Sequence, residues 1–348
     1  MDSPRSSSSQ LIVLQTHTPT LFKAAVTQAA VLLRAGELVA LPTETVYGLA
    51  ANALSSEAVS KIFQAKGRPE TNPIIVHVNG LDMAKACVTV WPESATLLAR
   101  AFWPGPLTLV LPKANCIPNN VTAGGKTVGI RWPSHPFMHE VIGEAGFPLA
   151  APSANRSNEI SPTNAEHVRK SLGDKLLIIV DGGQSQVGIE STVVDLSGPR
   201  LRVLRPGIIH AAALQAATPG MEWEMGRGAG ADSTEPLRSP GRLLRHYSPK
   251  ARLVILNWKN SHELSLQLNS TGINRQKIHL IVYSHVPGGL NCGRVSVIPH
   301  DAEAFARAIY AELHQCDEEG AELIVVEALP DSDEWVAIGD RLIRASAR

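Results

Sequence analysis

The sequence predicts an α/β protein with two domains: a larger domain on a twisted, mixed open sheet with helices, and a smaller C-terminal domain with a Rossmann-like parallel sheet. Its 348 residues exceed the size of one typical core. Strand and helix patterns are mixed without strict alternation in the first part, whereas they alternate regularly in the last part. A stretch rich in Gly, Ser and Pro separates the two and predicts a linker.

These patterns divide the chain into four segments. We expect a disordered N-terminal tail and lead-in over 1–18, the larger domain over 19–218, a linker over 219–251 and the C-terminal domain over 252–348. The first ten residues are polar and Ser-rich, which is typical of a disordered terminus. They lack the apolar run of a signal peptide.

The elements of the larger domain follow from apolar periodicity and from capping residues. Helices are predicted over 21–34, 57–66, 92–102, 135–146 and 163–173. Strands are predicted over 38–41, 74–76, 107–111, 128–131, 148–151, 176–181, 191–196 and 201–204. Ser55 or Ser56 is the predicted N-cap of the second helix, and Gly67 its end. Thr163, with a Glu three residues on, predicts a capping box for the last helix.

The C-terminal domain shows a regular alternation of elements. Strands are predicted over 253–256, 278–283, 295–298 and 323–326, with helices over 261–269, 301–316 and 335–345. Such alternation favours a parallel sheet. The segment lacks a GxGxxG motif, so nothing in it indicates a dinucleotide site.

Composition excludes several classes of protein. Hydrophobic residues make up 44% and charged residues 18% of the chain, which is an ordinary globular balance. A formal net charge of zero argues against a broad basic face for nucleic acid. The four cysteines are widely spaced without a CxxC pair, which fits a reducing compartment, and no apolar run is long enough for a membrane span. We therefore expect a cytoplasmic protein without a membrane partner.

Polar side chains gather at the predicted ends of strands and helices in the larger domain. Four of them are cations: Lys66, Arg68, Arg131 and Arg205. The others are Thr43, Thr45, Asn72, His77, Thr127, Ser153, Asn155, Ser161 and Ser191. Because α/β folds place ligand sites at strand ends, we expect these residues to form an anion site large enough for a nucleoside triphosphate.

Simpler interpretations exist for individual motifs. Lys66 alone could be a cation favoured by the negative end of its helix. The segment 124–127 resembles the end of a P-loop, but Asn120 replaces the first glycine and a strand follows, so we reject a P-loop. His135 and His139 have helical metal-ligand spacing without a third ligand, which favours an ordinary helix face.

The motifs together resemble the signature of the YrdC/Sua5 family, in its two-domain Sua5 type. The family pattern PT(E/D)TVYGL, KxR and NP(L/I)xVH matches residues 42–49, 66–68 and 72–77. Further matching strings lie at 104–108, 127–136, 151–155, 161–163, 188–195, 204–207, 239–250 and 337–345. The resemblance implies a YrdC-like fold for the larger domain.

The resemblance also implies an activity, that of a threonylcarbamoyl-AMP synthase. Such a nucleotidyltransferase would convert ATP, L-threonine and bicarbonate or CO2 into threonylcarbamoyl-AMP and pyrophosphate. A partner transferase system would then modify adenosine 37 of tRNAs that read ANN codons. Mg²⁺ would accompany ATP, with few protein ligands and no dedicated metal site. We expect direct tRNA binding to be weak or absent.

Residue roles follow from the same resemblance. Lys66 and Arg68 would be the catalytic cations. The ATP site would comprise Lys66, Arg68, Asn72, Thr127, Ser153, Asn155, Ser161 and Arg205. The threonine site would comprise Thr45, His77, Arg131, Ser191 and the backbone at Ala151, with Arg131 binding the carboxylate.

The linker carries an unusual concentration of cations. Residues 238–252 contain five Arg or Lys residues and no acid, together with His246 and Tyr247. A simple spacer would repel itself, whereas a segment that folds over a polyphosphate gains a counter-charge. We predict that the linker closes over ATP as a lid, with Tyr247 and either Arg245 or Arg242 nearest to it.

Two other functions remain open from the sequence. An RNA-binding module would use a local basic face, although aromatic residues are only 5% of the chain and single-strand binders stack bases on aromatic rings. A hydrolase or transferase of carbamoyl phosphate is the second alternative. The linker string and the C-terminal domain favour the synthase.

Overall fold

The computed structural model describes residues 11–224 and 246–347. Within this part of the chain, ten strands form one sheet and four strands form a second, smaller sheet. This confirms the predicted fold class. The exact domain boundaries stay predictions, and the predicted tail at 1–10 and most of the predicted linker lie outside the described residues.

The first sheet and its helices follow the chain from residue 12 to residue 217. The strands are β1 Ile12–Gln15, β2 Val39–Leu41, β3 Gly48–Asn52, β4 Val76–His77, β5 Leu107–Pro112, β6 Thr127–Arg131, β7 Leu149–Ala150, β8 Ile178–Asp181, β9 Thr192–Asp195 and β10 Arg202–Arg205. The helices are α1 Pro19–Arg34, α2 Ser56–Lys66, α3 Leu81–Ala86, α4 Glu93–Phe102, α5 Pro136–Ala145, α6 Ala165–Leu172 and α7 Ala211–Ala217.

The strand order of this sheet is β1-β8-β2-β3-β7-β4-β6-β5-β9-β10. The sheet contains parallel pairs, such as β4 with β6 and β5 with β9, and antiparallel pairs, such as β2 with β3 and β5 with β6. The sheet is therefore mixed, as predicted. Parallel pairing of β4 and β6 sets His77 opposite Arg131, so two predicted ligands share one edge.

Local capping explains where α2 stands relative to the site. Ser55 accepts a hydrogen bond from the Ala58 backbone N–H and starts the helix. Gly67 ends it in the left-handed region at φ 59°, a conformation that glycine adopts without a Cβ clash. The helix thus ends at Lys66, and the chain reverses immediately before Arg68. Both capping predictions are confirmed.

Several predictions of local structure were wrong. Residues 12–15, assigned to the lead-in, form β1, which pairs in parallel with β8. Segment 48–52, for which no strand was predicted, forms β3 between β2 and β7. Asn164, not Thr163, caps α6, because its side chain accepts from the His167 N–H.

The second sheet is entirely parallel. Its strands are β11 Arg252–Leu256, β12 Ile278–Val282, β13 Arg294–Val297 and β14 Leu323–Glu327, in the order β11-β14-β12-β13. Its helices are α8 Ser261–Asn269, α9 Ala302–Glu318 and α10 Val336–Ser346. The predicted Rossmann-like arrangement is confirmed. No described helix is long and apolar enough to cross a bilayer.

The second domain packs directly against the first. Val46 and Ile189 of the first domain share an apolar core with Phe305 and Ile309 of α9. Gly188 permits this approach: a Cβ at this position would lie 2.4 Å from the Ala306 carbonyl oxygen. The contact brings α9 and α10 beside the loop that carries Glu190.

Candidate active site

Seven of the thirteen predicted polar residues line one pocket at the strand ends of the first domain, and Lys66, Asn72, Ser161 and Ser191 each share a hydrogen bond with a residue of its lining. The loops after β2 and β7, the loop before β9, the turn after α2, and the ends of β4, β6 and β10 all reach it. The pocket lining includes Thr43, Thr45, Arg68, His77, Arg131, Ala151, Ser153, Glu190, Arg205, His246 and Tyr247. Most of these side chains are buried, so the pocket is polar yet shielded from solvent.

Lys66 is a buried cation at the end of α2. Its Nζ donates to the carbonyl oxygens of Ser153 and Asn155 and lies 3.4 Å from Asn155 Oδ1. Burial, and then the neighbouring charge of Arg68, lowers the pKa of Lys66 well below its ordinary value. Lys66 therefore ties α2 to the loop after β7.

Arg68 lies beside it and is held by the loop that follows. Its Nε donates to the Asn72 carbonyl at 3.2 Å and its Nη2 to the Pro73 carbonyl at 2.8 Å. Burial lowers its pKa to about 10, with the charge of Arg205 adding to the effect. The side-chain amide of Asn72 is buried and, among the described residues, finds no hydrogen-bond partner. Arg68 and Asn72, both predicted ATP ligands, thus keep N–H groups that can donate to a ligand.

Arg131 lies at the opposite side of the pocket and is already paired. Its Nη2 lies 2.7 Å from Glu44 Oε1, its Nη1 donates to Thr45 Oγ1 at 2.9 Å, and its Nε reaches the Gly105 carbonyl at 3.3 Å. Burial alone would raise the pKa of Glu44, but the Arg131 charge and hydrogen bonds outweigh it, so the pKa is lowered. Arg131 therefore fixes the 43–45 turn as well as facing the pocket.

His77 faces the same side as Arg131. Burial, with the nearby Arg131 charge, lowers its pKa to about 3, so the imidazole is neutral. Its Nδ1 has no hydrogen-bond partner among the described residues. A neutral ring with one free nitrogen can accept or donate a single hydrogen bond to a small polar ligand.

Arg205 and Ser191 form a pair at the third side of the pocket. Arg205 donates to the Ser191 carbonyl and to its hydroxyl, each at 3.1 Å. The Ser191 hydroxyl also lies 2.8 Å from Thr108 Oγ1. Arg205 thereby presents its charge at the pocket wall.

Glu190 and Arg341 are parts of the site that sequence reasoning missed. Ser161 Oγ donates to Glu190 Oε1 at 2.6 Å, and Arg341 Nε donates to Glu190 Oε2 at 2.9 Å. Burial alone would raise the pKa of Glu190, but Arg341 and then Arg205 reverse the shift, so the carboxylate stays charged. Each residue lies inside a matched family string, at 188–195 and 337–345, but spacing could not indicate that the two meet.

Tyr247 covers the pocket from the described end of the linker. Its ring is buried, stacks on Tyr310 with centroids 5.8 Å apart, and its backbone lies in the left-handed region at φ 61°. The cavity beneath it measures about 50 Å³, which is room for a few water molecules and not for a nucleotide. Arg242 and Arg245, which we predicted to lie near ATP, are outside the described residues.

Thr127 does not join the others. It stands at the start of β6, whereas Arg131 stands at its end, and it lines a separate small cleft with Thr108, Thr122 and Gly129. Its predicted contact with ATP stays a prediction that its position does not support.

Two family models match the chain in succession. The Sua5_yciO_yrdC model, whose description is telomere recombination, matches residues 31–207. The Sua5_C model, described as the C-terminal domain of threonylcarbamoyl-AMP synthase, matches residues 209–347. In class, the chain is therefore a two-domain protein of the Sua5 type.

Curated relatives and solved structures narrow this class. Threonylcarbamoyl-AMP synthases from Bacillus subtilis and Pyrococcus abyssi are 39% and 36% identical, and the alignments cover at least 91% of this chain and of each relative. The structure of P. abyssi Sua5 complexed with L-threonine matches with a TM-score of 0.86 at 34% identity, over 97% of both chains. E. coli YciO, at 22% identity and a TM-score of 0.51, shares the fold over 58% of this chain.

The chain belongs to the threonylcarbamoyl-AMP synthase family, whose members are nucleotidyltransferases. The resemblance found in the motifs is confirmed. The individual ligand assignments stay predictions.

The donor set of the pocket suits a metal ion that arrives with its ligand. In the described residues no group of three His, Cys, Asp or Glu side chains gathers to hold a metal. Glu190 accepts bonds from Ser161, Tyr310 and Arg341, so its oxygens are already engaged.

Proposed function

We propose that this chain makes threonylcarbamoyl-AMP and pyrophosphate from ATP, L-threonine and bicarbonate or CO2. The observation that carries the proposal is the clustering of Lys66, Arg68 and Arg205, three buried cations, around one pocket. Buried positive charges at one pocket favour an anionic ligand, and a triphosphate supplies several negative charges to meet them.

The chemistry requires positioning more than a protein nucleophile. The neutral amine of threonine adds to CO2 and loses a proton, which gives a carbamate. A carbamate oxygen then attacks the α-phosphorus of ATP, and the bond to the β-phosphate oxygen breaks to release pyrophosphate. The negative charge that develops on the phosphates is stabilised by fixed cations, a role that suits Lys66 and Arg68 as the catalytic pair.

The two ends of the pocket suggest how the substrates divide. Lys66, Arg68, Asn72, Ser153, Asn155, Ser161 and Arg205 would bind ATP. Thr45, His77, Arg131, Ser191 and the Ala151 backbone would bind threonine, with the Arg131 guanidinium facing its carboxylate beside the neutral His77. Support comes from P. abyssi Sua5, which resembles this chain over nearly its whole length and binds L-threonine in its crystal structure.

Magnesium would supply charge neutralisation on the phosphates when bound with ATP. The adenylate product hydrolyses readily, so a water-excluding pocket favours its survival. We propose that it passes to a tRNA threonylcarbamoyl transferase system acting on adenosine 37 of tRNAs that read ANN codons. The zero net charge of the chain fits a small-molecule enzyme that does not itself grip tRNA.

The direct test is pyrophosphate release in degassed buffer, with threonine and bicarbonate omitted in turn. We expect release to require both. Release at an equal rate without threonine or without bicarbonate would contradict the proposed reaction. Arg169→Ala serves as a control variant that should keep both requirements, since Arg169 is exposed on α6 and pairs only with Glu166 in the described contacts.

The lid predicted for the linker belongs to the same proposal. Tyr247, its described end, is buried at the pocket wall, which supports closure of the segment over the ligand. Limited proteolysis at Arg242 and Arg245, with and without ATP plus threonine, tests it. A lid becomes protected when both ligands bind. Equal cleavage in both states would favour a simple spacer.

A further inference from the structure

Glu190 places a buried carboxylate in the pocket that is proposed to bind the negatively charged phosphates of ATP. Glu190 lines the pocket together with Arg68 and Arg205, and its side chain is buried. A polyphosphate bound against those cations would meet the negative charge of Glu190 in a poorly solvated setting. Like charges repel more strongly there than in water, so the carboxylate needs a compensating cation.

That cation comes from the second domain. Arg341, on α10, is 1% exposed, and its Nε donates to Glu190 Oε2 at 2.9 Å. Its Nη2 reaches the Glu190 carbonyl at 3.3 Å and its Nη1 the Pro206 carbonyl at 2.8 Å. The guanidinium therefore contacts the backbone at Glu190 and at Pro206, the residue that follows Arg205.

The same guanidinium lies beside Tyr247, and Glu190 links it to Ser161. The Arg341 guanidinium carbon lies 5.6 Å from the Tyr247 ring centroid, within the range of a cation–π contact. Tyr310, on α9, donates its hydroxyl to Glu190 Oε2 at 3.1 Å. With Oε2 of Glu190 fixed by Arg341 and Tyr310, Oε1 accepts the Ser161 hydroxyl at 2.6 Å and orients it. Ser161 is one of the predicted ATP ligands.

We propose that Arg341 is a positioning residue for the nucleotide subsite, supplied by the second domain. It cancels the charge of Glu190 and fixes Ser161 through that carboxylate. The inference rests on the proposed function, because it deepens the account of the same site. It assigns the second domain a part in ATP binding and none in threonine binding, since the described contacts of Arg341 lie away from Arg131 and His77.

A purely structural ion pair makes a different prediction. Loss of such a pair would lower stability and loosen the domain contact without distinguishing one substrate from the other. The Michaelis constants for ATP and threonine therefore separate the two accounts, and a double substitution that removes both charges sharpens the separation.

The experiment uses the full chain with Arg341→Gln, Glu190→Gln, the double variant and the control Arg294→Gln. Arg294 also forms ion pairs in the second domain, with Glu312 and Glu319, away from the pocket. We expect Arg341→Gln to raise the Kd for ATP, measured by calorimetry, and the KM for ATP about tenfold or more, as for other buried charge pairs that lose one partner. The KM for threonine should change far less.

The double variant should recover most of the ATP affinity, because position 190 no longer carries a charge and Asp340, the other acidic partner of Arg341, still pairs with Arg344. Arg294→Gln should leave both constants unchanged. Unchanged ATP affinity in Arg341→Gln, an equal rise in both Michaelis constants, or no recovery in the double variant would each overturn the inference. If Arg341→Gln does not fold, Arg341→Met replaces it: it removes the charge and keeps an unbranched apolar stem that can fill the same space, and ATP affinity equal to wild type would overturn the inference.

Calorimetry of ATP needs no turnover. A wild-type chain that binds ATP without threonine-dependent pyrophosphate release would contradict the proposed function and leave the role of Arg341 measurable. Normal turnover together with an ATP affinity that does not change in Arg341→Gln would support the proposed function and overturn the role of Arg341.

Discussion

The two sheets of this protein differ in how the polar groups at their strand ends are hydrogen-bonded. At the strand ends of the first domain, buried polar atoms lie in or near a pocket, and several find no partner among the described residues: Nδ2 and Oδ1 of Asn72, Nδ1 of His77 and the hydroxyl of Tyr247. At the strand ends of the second domain, the buried carboxylate of Glu327 accepts the backbone N–H groups of Tyr283 and Ser284 through one oxygen and that of His285 through the other, at 2.8–3.1 Å.

The difference teaches that strand ends alone do not define a ligand site. In an open α/β sheet the N–H groups beyond adjacent strands often bind an anion. Here the second domain supplies its own anion, Glu327, whose pKa is lowered by hydrogen bonds from Ser284 and its neighbours although burial raises it. At the strand ends of the first domain, by contrast, several buried polar groups have no hydrogen-bond partner among the described residues. Unsatisfied buried groups, not topology, distinguish the binding end from the anchoring end.

The strongest test of the binding end is Arg131→Ala. The substitution leaves Glu44 buried and unpaired, so we expect the free energy of unfolding to fall by about 3–5 kcal/mol. It should also raise the KM for threonine more than the KM for ATP. Denaturant titration and pyrophosphate release measure the two effects.

Glu44→Gln with Arg131→Met provides the matched control, because it removes the stranded charge. Stability should return while threonine binding stays impaired. A larger effect on ATP than on threonine would mean that the two subsites are exchanged.

Arg68→Ala is expected to have the next largest effect. It removes a buried cation from the side of the pocket assigned to ATP, and a charge-assisted hydrogen bond is worth about 1.5–3 kcal/mol, a factor of about 10 to 150 in affinity. Calorimetry with ATP measures this directly. Arg100→Ala, on the last turn of α4, is a suitable control. Unchanged ATP affinity would remove Arg68 from the site.

Glu327→Gln tests the anchoring end. The amide keeps one acceptor but loses the charge, so we expect a loss of about 1 kcal/mol in the free energy of unfolding. The KM values for ATP and threonine should not change, because Glu327 lies in the second domain and does not line the pocket. A selective change in either constant would mean that the second sheet also takes part in binding.

The smallest expected effect is a pH dependence from His77. Its pKa is about 3 in the folded chain and near 6.5 when unfolded, so the unfolded chain binds the proton between these values. The free energy of unfolding therefore falls as pH drops below 6.5, by on the order of 0.7 kcal/mol from this residue between pH 7 and pH 6. His77→Asn should flatten the measured curve by that amount. An identical curve would show that the pKa of His77 is not lowered in the folded chain.

Local signals in the sequence predicted most of the elements. Ser55 and Gly67 marked α2 correctly because capping is a local interaction. Strand β3, by contrast, has the sequence Gly-Leu-Ala-Ala-Asn, without a β-branched or aromatic residue. It is a strand because β2 and β7 flank it and complete its hydrogen bonds, a tertiary effect that propensity does not contain.

The site divides in the same way. The cations before and after Gly67 were predictable because one short motif holds them. The pairing of Glu190 with Arg341 joins residues 151 positions apart and depends on how α10 docks against the first domain. The engagement of Arg131 by Glu44 was also missed, although both lie in matched strings, because a motif names residues without naming their partners.

Tyr247 carries a kinetic consequence. With its ring over a cavity of about 50 Å³, the pocket in this conformation cannot admit a nucleotide until the 246–247 segment moves away. Binding to a form that is populated only part of the time weakens apparent affinity in proportion to that fraction, and at high ligand the observed association rate becomes limited by opening. In stopped-flow mixing we therefore expect the rate of ATP association to level off with concentration, and Tyr247→Ala to restore a linear rise.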